Sequence, residues 1–235
     1  MKKNLNQKLI SLIEYYSLNN INLILSDKPL KRSPNRVSNF NDKTKKQKLD
    51  KLKNDIHLIK KCELKKNATN LVFADGNMHS KIMIIGEGPG AQEDIEGRPF
   101  VGRAGKLLDK MLAAIKLDRT KVYISNVVNY RPPSNRKPTE DEIKRYFPYL
   151  VNHIQIINPK ILFLLGSTAL NAIIGNEKVI SKARGKWINK EIGKTKLWII
   201  ASFHPAFLMR QPEQKKFTWI DLKMIRDKAK ILKIQ

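Results

Sequence analysis

The feature that most constrains this chain is a glycine-rich stretch at residues 86–105, which follows the short apolar run Lys81–Ile85 and precedes a helical pattern. It contains six glycines and two prolines in twenty positions. In a helix interior glycine costs about 1 kcal/mol and proline about 3 kcal/mol, so the stretch predicts a loop. Ligands of open α/β sheets bind beyond the carboxyl ends of the strands, and this strand–loop–helix layout therefore predicts a ligand site.

The loop lacks the features of two common nucleotide-binding motifs. It presents carboxylates, among them Glu87 and Glu93, where a Walker loop presents a lysine. The segment Gly86-Glu-Gly-Pro-Gly does not have the G-x-G-x-x-G spacing, and Pro89 removes an amide that a pyrophosphate would need. We therefore expect no nucleotide cofactor.

Apolar runs and helical patterns alternate downstream of residue 80, which predicts an α/β fold. We expect a single three-layer α/β/α domain with a central, mostly parallel four-stranded sheet. The predicted strands are Lys81–Ile85, Val122–Val127, Ile161–Leu165 and Leu197–Ala201, and the predicted helices are Arg103–Leu117, Thr139–Ile157, Ser167–Ile174 and Gln214–Leu232. Thr139 and Glu142 have capping-box spacing, and Pro148 predicts a kink or restart in that helix.

The amino-terminal region differs in composition from the rest of the chain. Residues 1–27 include an amphipathic helical pattern between residues 5 and 17, and residues 28–57 are basic and poor in apolar side chains. These patterns predict a helical segment over residues 1–27, then a flexible basic linker over residues 28–57, then a folded α/β domain over residues 58–235.

The net charge is +25, from 46 Lys and Arg against 21 Asp and Glu. Such a charge usually indicates a polyanionic partner, nucleic acid before a membrane surface, although a general preference for Lys, Asn and Ile would also raise it. The single cysteine, Cys62, excludes an intramolecular disulfide and an all-cysteine metal site. We expect a cytoplasmic protein with neither a signal peptide nor a membrane span.

Several polar motifs follow the predicted strands and belong on one edge of a parallel sheet. They are Gly86-Glu-Gly-Pro-Gly with Glu93-Asp94, Gly97-Arg-Pro-Phe-Val-Gly-Arg-Ala-Gly, Asn126-Val-Val, Arg131-Pro-Pro-x-Asn-Arg and His204-Pro. Together they resemble the uracil-DNA glycosylase superfamily, and specifically its family 4, from about Ile59 to the last helix. The resemblance implies hydrolysis of the N-glycosidic bond of flipped-out uracil in DNA, which leaves an abasic site for base-excision repair.

The resemblance also implies roles for individual residues. Phe100 matches the residue that stacks on the flipped base, and Asn126 matches the residue that reads the uracil edge. His204 matches the histidine that stabilises negative charge on uracil O2. Glu87 and Glu93 match acids near the sugar and the attacking water, with the choice between them open. The glycines that match the uracil-binding loop are Gly86, Gly88 and Gly90.

Candidate DNA contacts lie around this pocket. Phe207 and Leu208 could wedge into the space that a flipped base leaves, or could simply pack the loop that follows His204. The candidate phosphate contacts, each of which could also be a solvated surface charge, are Arg131, Arg136, Arg184 and Arg210.

The sequence departs from the family at its metal site. Family 4 members hold a [4Fe-4S] cluster through four cysteines, and the matching positions here are Ile59, Cys62, Tyr130 and Tyr146. One thiol cannot hold such a cluster, so we expect no metal cofactor and expect these four side chains to pack together. The expected protein is a monomeric, monofunctional uracil-DNA glycosylase that acts on uracil-containing DNA. The alternatives are a DNA-binding homologue without catalysis and a glycosylase for another deaminated or damaged base.

Overall fold

The computed structural model of the chain describes residues 35–175 and 178–234, with side chains in the first helix described from Thr44. The chain divides into two compact units, residues 1–41 and residues 42–235. The predicted helical segment 1–27 and the first part of the predicted linker lie outside the described residues.

Helix α1 (Asn35–His57) occupies most of the segment predicted as a flexible linker. Leu49, Leu52 and Ile56 of this helix are buried in the hydrophobic core, while many of its lysines are exposed. The three apolar residues are spaced three and four positions apart and therefore form one apolar stripe along the helix. The prediction of a flexible linker is therefore wrong for residues 42–57. It rested on the high lysine content and did not consider the helical spacing of the few apolar residues.

The strands are β1 (Asp75–Gly76), β2 (Ile82–Gly86), β3 (Tyr123–Asn126), β4 (Ile161–Leu165), β5 (Ile188–Ile192) and β6 (Thr195–Ser202). Within the described residues these six form one sheet in the order β1-β3-β2-β4-β6-β5. The four central strands are parallel neighbours, as predicted, and β1 and β5 pair antiparallel at the edges. The edge strands escaped prediction because β1 has two residues and β5 is mostly exposed.

The remaining helices are α2 (Glu63–Asn67), α3 (Ala91–Glu96), α4 (Arg103–Ala113), α5 (Glu140–Ile157), α6 (Ser167–Ile174), α7 (Ile180–Ala183), α8 (Pro205–Arg210) and α9 (Lys215–Ile231). Alternate residues of β2 enter two different core clusters, one with side chains of α4 and α9, the other with side chains of α1, α5 and α6. This alternation places helices on both faces of the sheet and confirms the three-layer α/β fold.

Helix α5 begins as predicted, because the Thr139 hydroxyl accepts from the Glu142 amide at 3.2 Å. It runs uninterrupted through Pro148, where a kink or restart was predicted. None of the described helices is long and apolar enough to cross a membrane.

Candidate active site

A cavity of about 210 Å³ opens at the carboxyl edge of the parallel strands. It brings together segments that follow β2, β3 and β6, as the sequence predicts for a parallel sheet. The predicted site residues that line it are Glu87, Gly88, Gly90, Glu93, Phe100, Asn126, Arg136 and His204.

Gly86 ends β2 beneath the pocket and has no room for a side chain. A Cβ atom there would lie 2.5 Å from Asn126 Oδ1 and 2.5 Å from Phe100 Cζ. The glycine therefore lets an amide and an aromatic ring both approach the same backbone position. A larger residue at position 86 would displace both.

Asn126 is the last residue of β3 and is buried. Its Oδ1 atom has no hydrogen-bond partner among the described residues. A buried acceptor without a partner costs about 1–3 kcal/mol, so this oxygen suits a ligand that donates a hydrogen bond.

His204 follows β6 and is the N-cap of α8. Its Nδ1 atom accepts a hydrogen bond from the Ala206 amide at 3.2 Å, so the neutral ring carries its proton on Nε2. Burial, with a smaller contribution from Arg210, lowers the pKa of His204 to about 4. The side chain is therefore a neutral hydrogen-bond donor near pH 7.

Phe100 supplies the aromatic wall of the cavity, with its ring centroid 5.6 Å from that of His204. Its φ of 56° is in the left-handed region, which is unfavourable for a bulky residue. Arg119 compensates by donating to the carbonyl oxygens of Phe100 and Pro99 and by pairing with Asp75 at 2.6 Å. Sequence analysis missed Arg119, because only the fold places it next to a loop that lies nineteen residues earlier.

Glu93 lines the cavity, but both of its carboxylate oxygens bind backbone. Oε2 accepts from the Gly90 amide at 3.2 Å, and Oε1 accepts from the Gly102 amide at 2.9 Å. The side chain thereby links two parts of the glycine-rich loop and caps α3. The sequence did not predict α3, because the glycine content of this stretch predicted a loop.

Glu87 is oriented differently, since the Thr168 hydroxyl of α6 donates to its Oε2 atom. Glu87, Asn135, His204 and Ala206 line both this cavity and a second, adjoining cleft. The other residues of the second cleft include Lys137, Gly166, Ser167, Phe207 and Arg210. Glu87 therefore lies where the two cavities meet, and the second cavity contains cationic side chains.

Two of the predicted phosphate contacts are already paired. Arg136 donates to both carboxylate oxygens of Glu142, at 2.8 and 2.6 Å. Arg184 pairs with the fully buried Asp221, with Nε 3.0 Å from Oδ2, and only 13% of its side chain is exposed. A buried pair of this kind is costly to break, so the structure contradicts a free phosphate contact at Arg184.

The segment after His204 forms the short helix α8. Leu208 is 1% exposed within a core cluster, which contradicts its prediction as a DNA wedge and favours the packing alternative. Phe207 is partly buried and lines the second cleft with the exposed Arg210. Arg131 donates to Asn135 at 2.8 Å and is partly exposed.

Three of the four positions that match cluster ligands in family 4, namely Cys62, Tyr130 and Tyr146, belong to one extended core cluster. Cys62 Sγ lies 3.2 Å from the Tyr146 hydroxyl, and the Tyr130 hydroxyl lies 3.1 Å from His57 Nδ1. Ile59 packs against the same cluster. The predicted packing is confirmed for Cys62 and Tyr146, which are in direct contact, and the tyrosines contribute hydrogen bonds as well as apolar bodies.

These positions do not fit an iron–sulfur cluster, because they offer one thiol, one aliphatic side chain and two phenols. Burial raises the pKa of Tyr146, with a further increase from its hydrogen bond to Cys62, so its phenol stays protonated. In the part of the chain that the structure describes, no group of three or more His, Cys, Asp or Glu residues is arranged to hold a metal ion.

Comparison with known proteins identifies the family. Residues 73–223 match the model of the uracil DNA glycosylase superfamily. The chain is 42% identical to a type-4 uracil-DNA glycosylase of Sulfurisphaera tokodaii over 186 residues, which cover 77% of this chain and 84% of the relative. It is 40% identical to the type-4 enzyme of Archaeoglobus fulgidus over 75% of this chain and 91% of the relative. A type-4 enzyme of Thermotoga maritima is 46% identical over 63% of this chain and 77% of the relative. The chain therefore belongs to the uracil-DNA glycosylase superfamily.

Proposed function

We propose that this protein is a monofunctional uracil-DNA glycosylase of the type-4 kind, acting on uracil-containing DNA as a cytoplasmic monomer. The relatives named above are type-4 uracil-DNA glycosylases, and the matched region contains every residue of the pocket. The observation that carries the assignment of roles is the buried Oδ1 atom of Asn126, which has no hydrogen-bond partner in the part of the chain that the structure describes.

Uracil presents an N3–H donor beside its O4 acceptor, and a side-chain amide can bind both groups. We assign Asn126 Oδ1 to N3–H and the amide nitrogen of Asn126 to O4. Cytosine has an acceptor at N3 and a donor at N4. In the same orientation, the Asn126 Oδ1 acceptor would face the N3 acceptor and the amide nitrogen donor would face the N4 donor. Phe100 would stack on one face of the flipped ring.

Hydrolysis breaks the bond between C1′ of the sugar and N1 of uracil. The electron pair leaves with the base, so negative charge develops on uracil O2 while positive charge develops on the sugar. A neutral Nε2–H donor on His204 stabilises that oxygen more in the transition state than in the ground state. The water oxygen then bonds to C1′, and the released proton ends on the uracil.

We assign the orientation of the attacking water to Glu87 and a structural role to Glu93. Glu87 is held by Thr168 at the junction of the two clefts, where the sugar of a flipped nucleotide would lie. Glu93 has a backbone amide on each carboxylate oxygen. A negative Glu87 would also stabilise the cationic sugar.

The activity is tested with a labelled oligonucleotide containing one uracil, followed by alkaline cleavage of abasic sites. We expect cleavage at uracil and none in matched oligonucleotides with thymine, cytosine or other damaged bases. A Glu87→Gln variant should lose most of the rate, while Glu93→Gln should lose chiefly stability. Cleavage at another base but not at uracil would overturn the assigned substrate, and catalytic loss confined to the Glu93 variant would reverse the assigned roles.

We also propose that this glycosylase folds and works without an iron–sulfur cluster. Hydrogen bonds replace the metal ties, namely Cys62 to Tyr146 and His57 to Tyr130, and Arg145 donates to the Lys60 and Lys61 carbonyl oxygens of the intervening loop. Protein made aerobically should be colourless, active and free of stoichiometric iron and sulfide. Iron at about one cluster per chain would overturn this proposal without affecting the substrate assignment.

A further inference from the structure

The first half of α9 presents exposed aromatic and aliphatic side chains among lysines. We call this surface the aromatic–lysine face, and it consists of Lys216, Phe217, Trp219, Ile220 and Lys223. Phe217, Trp219 and Ile220 are 36%, 41% and 46% exposed. Large apolar side chains clustered in this way on a surface helix indicate an interaction site.

Both aromatic rings of this face have cations beside them. Lys216 Nζ lies 5.2 Å from the centroid of the Phe217 ring, and Lys223 Nζ lies 5.8 Å from that of Trp219. A lysine on an aromatic ring combines a stacking surface with a charge that can neutralise phosphate.

Contacts of Arg184 with two aromatic rings connect this face with the candidate active site. Arg184, held by Asp221, lies 5.3 Å from the Phe217 ring and 5.7 Å from the Phe203 ring. The Phe203 ring is 5.0 Å from that of Phe207, and both phenylalanines line the second cleft. A row of ring and guanidinium contacts therefore links the second cleft to the aromatic–lysine face.

We propose that the aromatic–lysine face binds the unpaired strand that flanks the target nucleotide, by stacking a base on Trp219 or Phe217 and pairing phosphates with Lys216 and Lys223. This inference rests on the proposed action on DNA and adds to it a preference for a single-stranded flank. Protein interfaces are depleted in lysine at their cores, where burial removes its hydration, so a polyanionic partner fits this face better than a protein.

An unpaired flanking strand fits the aromatic–lysine face better than a duplex does, because the exposed rings of Phe217 and Trp219 can stack only on unpaired bases. In a duplex the faces of the bases are already stacked on each other, and an exposed side chain reaches only phosphates and base edges. Exposed aromatic rings interspersed with cations are the arrangement that proteins use for single strands.

The test measures binding of oligonucleotides that contain 2′-fluoro-2′-deoxyuridine, whose glycosidic bond resists cleavage. The probes are a short single strand that fills only the pocket, a long single strand, and the matching duplex. Trp219→Ala should weaken binding of the long single strand about tenfold and leave the short strand unchanged, since stacking of one base has roughly that effect. Ile231→Ala is the matched control, because Ile231 is 74% exposed on the same helix and lies outside the face.

Tryptophan fluorescence gives a second readout. Of the three tryptophans, Trp219 is 41% exposed, whereas Trp187 and Trp198 are partly buried and pack edge to face with ring centroids 6.4 Å apart. The long single strand should quench wild-type fluorescence more than the short strand does, and Trp219→Ala should remove the difference. Three results would each overturn the inference. Trp219→Ala could weaken binding of both strands equally, could weaken binding of neither strand, or could weaken only the binding of the protein to vesicles of anionic lipid. Cleavage of short uracil oligonucleotides by the same variant reports separately on the proposed function.

Discussion

The base pocket and the core around Cys62 treat buried polar groups in opposite ways. In the pocket, Asn126 Oδ1 is buried with no partner among the described residues, and Nδ1 of His204 is bound so that its proton lies on Nε2. Around Cys62, thiol, phenol and imidazole pair with one another. A buried polar atom without a partner is costly, so the first region is built for a ligand and the second for stability.

The sharpest test of this difference removes the Asn126 amide, whose Oδ1 atom has no partner among the described residues. Asn126→Ala should reduce kcat/KM by about 10²- to 10³-fold, because two hydrogen bonds to the uracil edge are lost at roughly 1–3 kcal/mol each. Binding to undamaged DNA should barely change, as measured by fluorescence anisotropy. Asn129→Ala is an informative companion, since Asn129 donates to the Val72 carbonyl at 3.0 Å and serves the fold. Wild-type turnover by the Asn126 variant would refute the pocket assignment.

His204 should affect the bond-breaking step more than binding. We expect His204→Ala to lower the single-turnover rate on the order of 10²-fold with little change in substrate affinity, as for other donors that stabilise an anion. Rapid-quench kinetics and equilibrium binding separate the two effects. Equal losses in rate and affinity would instead indicate that the histidine only caps α8.

Arg119 should matter about an order of magnitude less, because it acts through Phe100. Arg119→Met removes the donors that hold Phe100 at positive φ, and we expect kcat/KM to fall about tenfold. Arg98→Met is the matched control, since Arg98 also pairs with Asp75, at 3.1 Å, but is more than half exposed.

The route through Phe100 can be tested directly. In a Phe100→Ala background, Arg119→Met should have little further effect on kcat/KM, because the ring that it positions is gone. Additive losses in the double variant would mean that Arg119 acts on the reaction by some other route.

The sequence predicts the residues of the pocket better than it predicts the residues that hold them in place. Glycine spacing, strand ends and the motifs at Asn126 and His204 are local signals, and the parallel topology then brings them together. Arg119 and Thr168 carry no such signal, because each meets the pocket only through long-range packing. Helix α1 was missed for a different reason, since three apolar residues among many lysines support it only when a core is present to cover them.

In the core around Cys62, Tyr146→Phe should lower the stability of the protein and leave catalysis unchanged. The substitution removes the hydrogen bond to Cys62 Sγ within a filled core, so we expect the free energy of unfolding in urea to fall by about 1 kcal/mol. Tyr149→Phe on the same helix provides the control, as Tyr149 is only partly buried. A large loss of glycosylase activity in the Tyr146 variant, with folding intact, would contradict the division of roles between the two regions.

The smallest expected effect is that of pH on the rate. Because the pKa of His204 is lowered to about 4, the ring is neutral well below the ordinary histidine range, and the single-turnover rate should stay level from about pH 5 to pH 8. Stability should behave differently, since the unfolded chain protonates this histidine near pH 6.5 and the folded chain does not. The free energy of unfolding should therefore fall as pH decreases from about 6.5 toward 4, with a further contribution from the buried His153, whose pKa burial lowers to about 3. In His204→Ala that acid slope should be shallower. A wild-type rate that falls with a midpoint near pH 6.5 would mean that His204 is not the neutral donor inferred from its contact with the Ala206 amide.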